Sequence, residues 1–560
     1  MAVTKRVDLL LAQRQKRRGM RDQYLSLCQR IAEVVLPHRA NFTKDISEGA
    51  NLSSAKFDST GMLAHRNLKD AMGAMLKPRH EKWIFVRPED DRLKYNENVL
   101  LWCEEVEQRM WNAIYSPRAQ FMRYSGEVDD DLVAFGQGHL YLGVNRPRSG
   151  LLFRSWHIKD AVYAENLDGQ IDKIFLDWML TLEQAVDLVG KDNTAKLPER
   201  LREELKKDKP DWTAKYPFYL CIYPNEDYQP RRAANDVSQY APFKECIIAP
   251  DCDTEIAVSG YFDFPVATPR WDTSSGEWNA RSPASIALGD ILSANQIGKT
   301  MLKAGHLAVE PPLVAPHNGI VGRAKIYPGG MTYFNADVVS GYGREAPIRP
   351  LYNGLNLPFG ENIQRDVRDQ IWLAFFRNVL NLPIDGPQMT ATEVQARRQE
   401  FLRTVGPIFG RLEADYTAAI ATRVFGILER AGVFSPPPEE LQGTGIRFEF
   451  VSPVFKVLKQ VEMDAYHAWM NDMAAVATVK GPHVFDNIDE DVVAREGAMI
   501  RGMPQRWLKP VDAVTTIRER RAEMEQQEQM KNDAERAAGA AVNVAKVVDL
   551  SGARAQKKAA

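Results

Sequence analysis

Three consecutive carboxylates, Asp129-Asp130-Asp131, come nearest of any residues in this chain to metal-assisted chemistry, the cleavage of a phosphodiester by a divalent cation. The run begins no calcium loop, and a solvated helix face is the expected reading. Asp251 and Asp253 flank Cys252 in what reads as a turn, with the same expectation. The nine histidines (residues 38, 65, 80, 139, 157, 306, 317, 467 and 483) are isolated along the chain, and each is expected to be satisfied or on the surface. There is no G-x-x-x-x-G-K-[ST] phosphate loop, no H-E-x-x-H, no G-x-S-x-G and no Cys/His cluster at zinc spacing. Gly136-Gln-Gly138 lacks the third glycine and the strand-to-helix setting of a dinucleotide loop. No catalytic residue, cofactor or metal is therefore expected. The tryptophans at 83, 102, 111, 156, 178, 271 and 278 could stack bases, but without a basic surrounding they are expected to pack in a core or a subunit interface.

The chain that must position these residues has 560 of them, long enough for several modules or one large elaborated fold. Lys plus Arg is 72 against 74 Asp plus Glu, a net charge of -2, which argues against gripping nucleic acid by phosphate neutralisation. The only basic bias is at the start. No apolar run reaches membrane-spanning length, and the N-terminal apolar core, broken by Asp8, is too short and polar for a signal peptide. The five cysteines (28, 103, 221, 246 and 252) make no C-x-x-C, which fits reduced, mostly buried thiols in a cytoplasmic product.

The spacing predicts helices over 3–36, 58–76, 96–115 and 118–135. Asp58 or Ser59 is the expected cap of the second, and Met62, Leu63, Leu68, Ala71, Met72 and Met75 its apolar face. Short strands with turn signals follow from Leu140 to Ser259, interrupted by two helices, so the first half reads as a mixed α+β module. Ser282-Pro283 then opens a helix with Gly305 as its expected stop. Residues 306–357 hold six Pro and seven Gly in 52 positions and read as a compact insert of short strands and turns. The helix after it carries Phe359, Ile363, Val367, Ile371, Phe375 and Val379 at every fourth residue. Four residues turn a helix by ~400°, so this stripe winds round the axis and the rod crosses its neighbours obliquely. The loop Asn381 to Met389 follows. Thr390 and Glu393 then make a capping box on a long helical pattern, which Gly406-Pro407 is expected to bend. Residues 454–508 read as broken helix, and 511–538 as a helix with a thin apolar stripe.

Two segments carry a resemblance. FDSTGMLAHRNLKDAMGAMLKPRHEKWIFV, Phe57 to Val86, resembles the N-terminal signature of head-to-tail connector (portal) proteins of short-tailed, podovirus-type bacteriophages. There a D-S-T-G turn opens an apolar helix, a proline ends it and a tryptophan-led strand follows. MTATEVQARRQEFLRTVGPIFGRLEADYTAAIATRVFGILERAGVFSPPP, Met389 to Pro438, resembles its second signature, with a T-E-V start, a G-P break and a proline-rich exit. The order of elements between them also matches.

The resemblance implies the portal fold, assembled as a ring, usually of twelve subunits. Residues 1–282 would form an α+β wing, 283–305 and 358–380 the two stem helices and 306–357 a small β-containing clip. Residues 381–390 would be a tunnel loop, in which Asn381, Asp385 and Gln388 approach DNA. Residues 391–453 would add a long kinked wing helix and return strand, 454–510 a helical crown, and 511–560 a C-terminal helix of a barrel or a disordered tail. The implied role is a channel at one capsid vertex of the virion for packaging, holding and ejecting double-stranded DNA. Its partners would be its own copies, terminase, tail adaptor and tail tube proteins, and major capsid and scaffolding proteins, with no membrane. The host cytoplasm is the implied site of assembly. The competing readings are a metal-dependent nuclease resting on Asp129 to Asp131, and a structural adaptor without a channel.

Overall fold

The computed structural model describes residues 3–47, 49–50, 56–94, 96–233, 237–250, 255–310, 312–314, 320–323, 333–334, 349–350, 357–377, 406–443, 445–450, 465–474, 476, 481, 488–500, 503, 507–509 and 511–556. The chain divides into two compact units. The first takes residues 1–86, 106–435 and 448–458, and the second 87–105, 436–447 and 459–560.

In the first unit the expected N-terminal helix is two helices, α1 (Val3–Gly19) and α2 (Asp22–Val35). The break has a cause. Arg21 is buried, and its guanidinium donates to the carbonyls of Ala161 and Ile158, so the chain turns where that side chain must reach inward. Gly19 just before the break makes helix there less favourable. Helix α3 (Thr60–Leu76) buries Ala64, His65, Leu68, Met72 and Leu76. That face is rotated from the expected one, and Leu63 is 53% exposed. Strand β1 (Ile84–Pro88), α4 (Glu97–Ile114) and α5 (Phe121–Phe135) follow.

Strands β2 (His139–Val144) and β3 (Leu151–Trp156) form a hairpin. Strands β4 (Ala161–Glu165) and β5 (Ile171–Thr181) begin an antiparallel meander. It continues, after α6 (Leu182–Val189) and α7 (Glu199–Leu205), through β6 (Lys215–Pro224). Short α8 (Pro230–Ala233) and α9 (Val237–Tyr240) then precede β7 (Phe243–Ile248) and β8 (Glu255–Tyr261). Each of β4 to β8 pairs with its sequence neighbour, the arrangement that short connections favour. Strand β9 (Val266–Ala267) adds to the hairpin beside β2. Strand β4 is an edge, and the guanidinia of Arg17 and Arg21 cover its outward carbonyls at Tyr163 and Ala161.

Ser282 caps the short α10 (Pro283–Ile286) with a reciprocal box to Ser285, and α11 (Leu288–Val309) continues from it. The helix passes through Gly305, the expected stop, and ends at Val309. The reason lies one step further on: Glu310 precedes Pro311, and a residue before proline is held out of the α region. In the insert, β10 (Leu313–Val314) pairs with β13 (Arg349–Pro350) outside the pair of β11 (Ile320–Val321) and β12 (Tyr333–Phe334). These are nested hairpins, as the Gly/Pro punctuation suggests. Helix α12 (Leu357–Ala374) returns antiparallel in sequence order to pack with α11. Residues 406–412 are helical, Glu413–Ala418 form a π-helical stretch, and α13 (Ala419–Arg430) completes the rod. Strand β14 (Ile446–Phe450) pairs with β1. One core joins α2, α3, α5, α11 and α12 through Ile31, Met72, Phe135, Ile291 and Ile371.

In the second unit, α14 (Glu490–Ile500) and α15 (Val511–Gln556) are joined by the bidentate pair Arg518–Asp491 at 2.6 and 2.7 Å. Glu496 accepts from Lys94 at 2.8 Å. Helix α15 runs 46 residues, well beyond the expected end at 538, and residues 515–539 are exposed throughout.

Candidate functional site

The acidic run is not a solvated face. Asp129 and Asp131 are 3% and 1% exposed, and each neutralises a different cation. Lys77 Nζ donates to both oxygens of Asp129 at 2.7 and 2.8 Å and to the Tyr416 hydroxyl at 2.9 Å. Arg39 makes a two-point pair with Asp131, its Nε to Oδ1 at 3.0 Å, and Lys69 lies 3.4 Å from Asp130. Successive helix residues point ~100° apart, so three in a row cannot converge on one ion. Among the described residues no group of three His, Cys, Asp or Glu could hold a metal. The nuclease reading loses its residues.

The Lys77–Asp129–Tyr416 cluster ties the end of α3 and the middle of α5 to the π-helical stretch. Leu412, Tyr416 and Ile420 are all fully buried along one line of that rod. The wide π turn lets Tyr416 reach Lys77 without turning its apolar neighbours outward. Burial lowers Lys77 and raises Asp129, and their mutual attraction opposes both shifts. Burial likewise pushes Asp131 up to about 6, against the pull of Arg39.

Six of the nine basic residues in positions 1–40 are engaged within the chain, while Lys5, Lys16 and Arg30 are exposed. Arg14 and Arg18 both hold Asp177 of β5, and Arg21 holds backbone carbonyls. Arg39 holds Asp131, Arg6 lies 3.4 Å from Asp227, and Arg17 lies over the Trp278 ring at 4.4 Å. These arginines serve the fold, not phosphate.

A second constellation centres on the D-S-T-G turn. Asp58 Oδ1 accepts from the Thr60 amide at 2.8 Å and so starts α3. Its Oδ2 accepts from Arg368 Nε at 2.8 Å and from Gln364 Nε2 at 3.3 Å, both on α12. Asn295 on α11 accepts from the Phe57 and Asp58 amides at 2.7 and 3.3 Å. The glycines permit the approach. A Cβ on Gly61 would meet Ile291 at 3.1 Å, and one on Gly298 would meet the Phe57 carbonyl oxygen at 2.9 Å. The turn is thus a clamp that fixes α11 and α12 to α3. Burial pushes the Asp58 carboxyl up, but hydrogen bonds from Thr60 and the Arg368 charge outweigh it and hold it below its ordinary value. The sequence marked Asp58 only as one of two candidate caps; Ser59 takes the N-cap position and makes no side-chain bond there. Asn295, Gln364 and Arg368 carry no local signal, because their roles exist only where three helices meet.

Exposure falls along the every-fourth-residue stripe of α12. Phe359 is 63% exposed and Ile363 38%, Val367 is partly buried, and Ile371 and Phe375 are fully buried. Val379, the loop residues Asn381, Asp385 and Gln388, and the Thr390/Glu393 box lie outside the described residues. Gly406 and Pro407 stand at the first described turn of the rod, with the bend expected there also outside them.

The chain matches the family described as bacteriophage head to tail connecting protein over residues 8–508. It is 25% identical over 527 residues to the protein named "Probable portal protein" of Bordetella phage BPP-1, covering 92% of this chain and 91% of the relative. It is 25% identical over 533 residues to the "Portal protein" of Salmonella phage epsilon15, covering 94% and 93%. Among solved structures, a chain from the virion of a native gene transfer agent particle aligns over 84% of this chain and 98% of its own, at 13% identity and a TM-score of 0.37. A chain from the neck of that type of particle aligns over 75% and 88%, at 12% identity and a TM-score of 0.34.

Proposed function

The chain belongs to the bacteriophage head to tail connecting protein family, and from that membership we infer that it is a portal protein. The observation that carries the reading is the extent of the match, residues 8–508, which takes in both signature segments. Its work is structural. Copies of the chain form a ring, of twelve subunits on the family pattern, at one capsid vertex of the virion. Double-stranded DNA enters, is held and leaves through the channel. ATP hydrolysis falls to a separate terminase, in keeping with a sequence that has no phosphate loop. Terminase, tail adaptor and tail tube proteins dock on the ring, and capsid and scaffolding proteins surround it.

The physical chemistry agrees with sliding. A chain whose 72 basic and 74 acidic residues nearly cancel, repeated round a pore, presents DNA with no net positive charge to grip its phosphates. Helices α11 and α12 serve as the stem, the nested hairpins as the clip, and the loop 381–390 as the tunnel loop. The Asp58 clamp then has a mechanical meaning, since it anchors both stem rods to the wing. Among the described residues no helix is long and apolar enough to cross a membrane.

End-on electron images of the purified full-length chain, with its native mass, test the reading. A closed ring of about twelve copies supports it; a monomer or dimer with metal-dependent cleavage of DNA overturns it.

A further inference from the structure

In the meander, Cys221 of β6 stands directly opposite Cys246 of β7. Directly opposed residues in an antiparallel pair have Cα atoms ~4.5 or ~5.5 Å apart, depending on the hydrogen-bonding position. A disulfide accepts ~4.4–6.8 Å, so either position lies within its reach. Opposed side chains leave a sheet on the same face. Both thiols are fully buried there, with Phe175, under Val7 and Leu10 of α1. The described cysteines elsewhere, Cys28 and Cys103, sit on helices.

We propose that Cys221 and Cys246 are a redox modification site, a thiol pair that a small-molecule disulfide such as oxidised glutathione converts into a cross-strand disulfide joining β6 to β7. One cysteine, as thiolate, attacks the small disulfide, forming a mixed disulfide and releasing one small thiol. The second attacks that mixed disulfide, forming the Cys221–Cys246 bond and releasing the other. Two protons leave the cysteines and end on the two released thiols, and the oxidant gains two electrons. A chain made in a reducing cell interior and later carried outside it meets such oxidants. The chemistry itself does not depend on the portal reading.

Access is gated by α1. Burial pushes the Cys221 thiol up to about 12 and raises Cys246 too, so in the closed sheet neither is a ready nucleophile. Helix α1 is held over them by Arg14 and Arg18 on Asp177, with Arg14 Nε at 2.6 Å. The rate of closure therefore follows the lifting of α1.

The full-length protein is incubated with excess oxidised glutathione, its remaining thiols are alkylated, and the digest is read by mass spectrometry. The expected product is a peptide pair joined through Cys221 and Cys246 and lighter by two hydrogens, absent from Cys221→Ser and Cys246→Ser and unaffected by Cys28→Ser. Replacing both Arg14 and Arg18 by Ala speeds its appearance about tenfold. Sub-denaturing urea on the unmodified protein gives the same acceleration if that variant folds poorly. Recovery of both cysteines alkylated under all these conditions, or each capped by glutathione without the cross-link, overturns the proposal.

Discussion

Lys77 shows what a single buried charge does in this chain. Its partner Asp129 is 3% exposed, so Lys77→Met leaves a buried carboxylate without its cation. That variant is expected to lose about 3–5 kcal/mol of stability in urea unfolding. The double replacement Lys77→Met/Asp129→Leu recovers most of it, because no unpaired charge is then left at that site. A double as unstable as the single would mean that the cost lies in packing, not charge. Asp131 gives a pH signature. Its folded value, raised by burial from 3.8 to about 6, means that the folded state holds this proton more tightly than the unfolded chain. The stability it contributes is complete below pH ~4 and is lost as pH rises through 6. Unfolding free energies of the parent and Asp131→Asn should therefore diverge by roughly 3 kcal/mol between those limits, the parent losing relative to the variant as pH rises. Parallel pH curves would show that Arg39 fully offsets the burial.

At the scale of elements, the three-helix clamp makes a prediction that helix propensity alone gets backwards. Gly298 and Gly360 both lie inside helices, where Gly→Ala ordinarily stabilises by about 1 kcal/mol. At Gly360 the new methyl would meet the Met301 sulfur, the movable end of a flexible side chain. At Gly298 it would meet the Phe57 backbone oxygen at 2.9 Å, which cannot step aside without opening the turn that Asn295 holds. Gly298→Ala should lower the unfolding midpoint and raise hydrogen exchange at the start of α3, while Gly360→Ala should be close to neutral. Equal effects at both positions would remove the tight approach between α11 and the D-S-T-G turn.

For the whole molecule the prediction concerns DNA in the proposed channel. The loop Asn381 to Met389 carries no charge except Asp385, which repels phosphate. Asp385→Lys with Gln388→Lys should leave ring assembly intact and slow packaging or ejection, most at low salt, where the Debye length is long. Intact rings with unchanged packaging at low salt would take this loop out of the channel.

Legible in the sequence were most of the longer helices and strands of the first unit, the capped start at Ser282, the Gly/Pro insert between two rods and the family. These follow from local rules: side-chain period, caps, turn residues and the order of two signatures. The sequence missed where a long-range partner overrides the local rule. Arg21 splits one predicted helix because its guanidinium serves carbonyls 140 and 137 residues away. The acidic run reads as solvent-facing because its cations, Arg39, Lys69 and Lys77, lie 92, 61 and 52 positions earlier in the chain. Asp58 is legible as a cap and illegible as a clamp, since Arg368 comes beside it only when α3, α11 and α12 pack together. Periodicity records which face of an element is apolar. Which charge ends up buried against which is decided by tertiary packing, because only a partner brought out of water can make burying an ion tolerable.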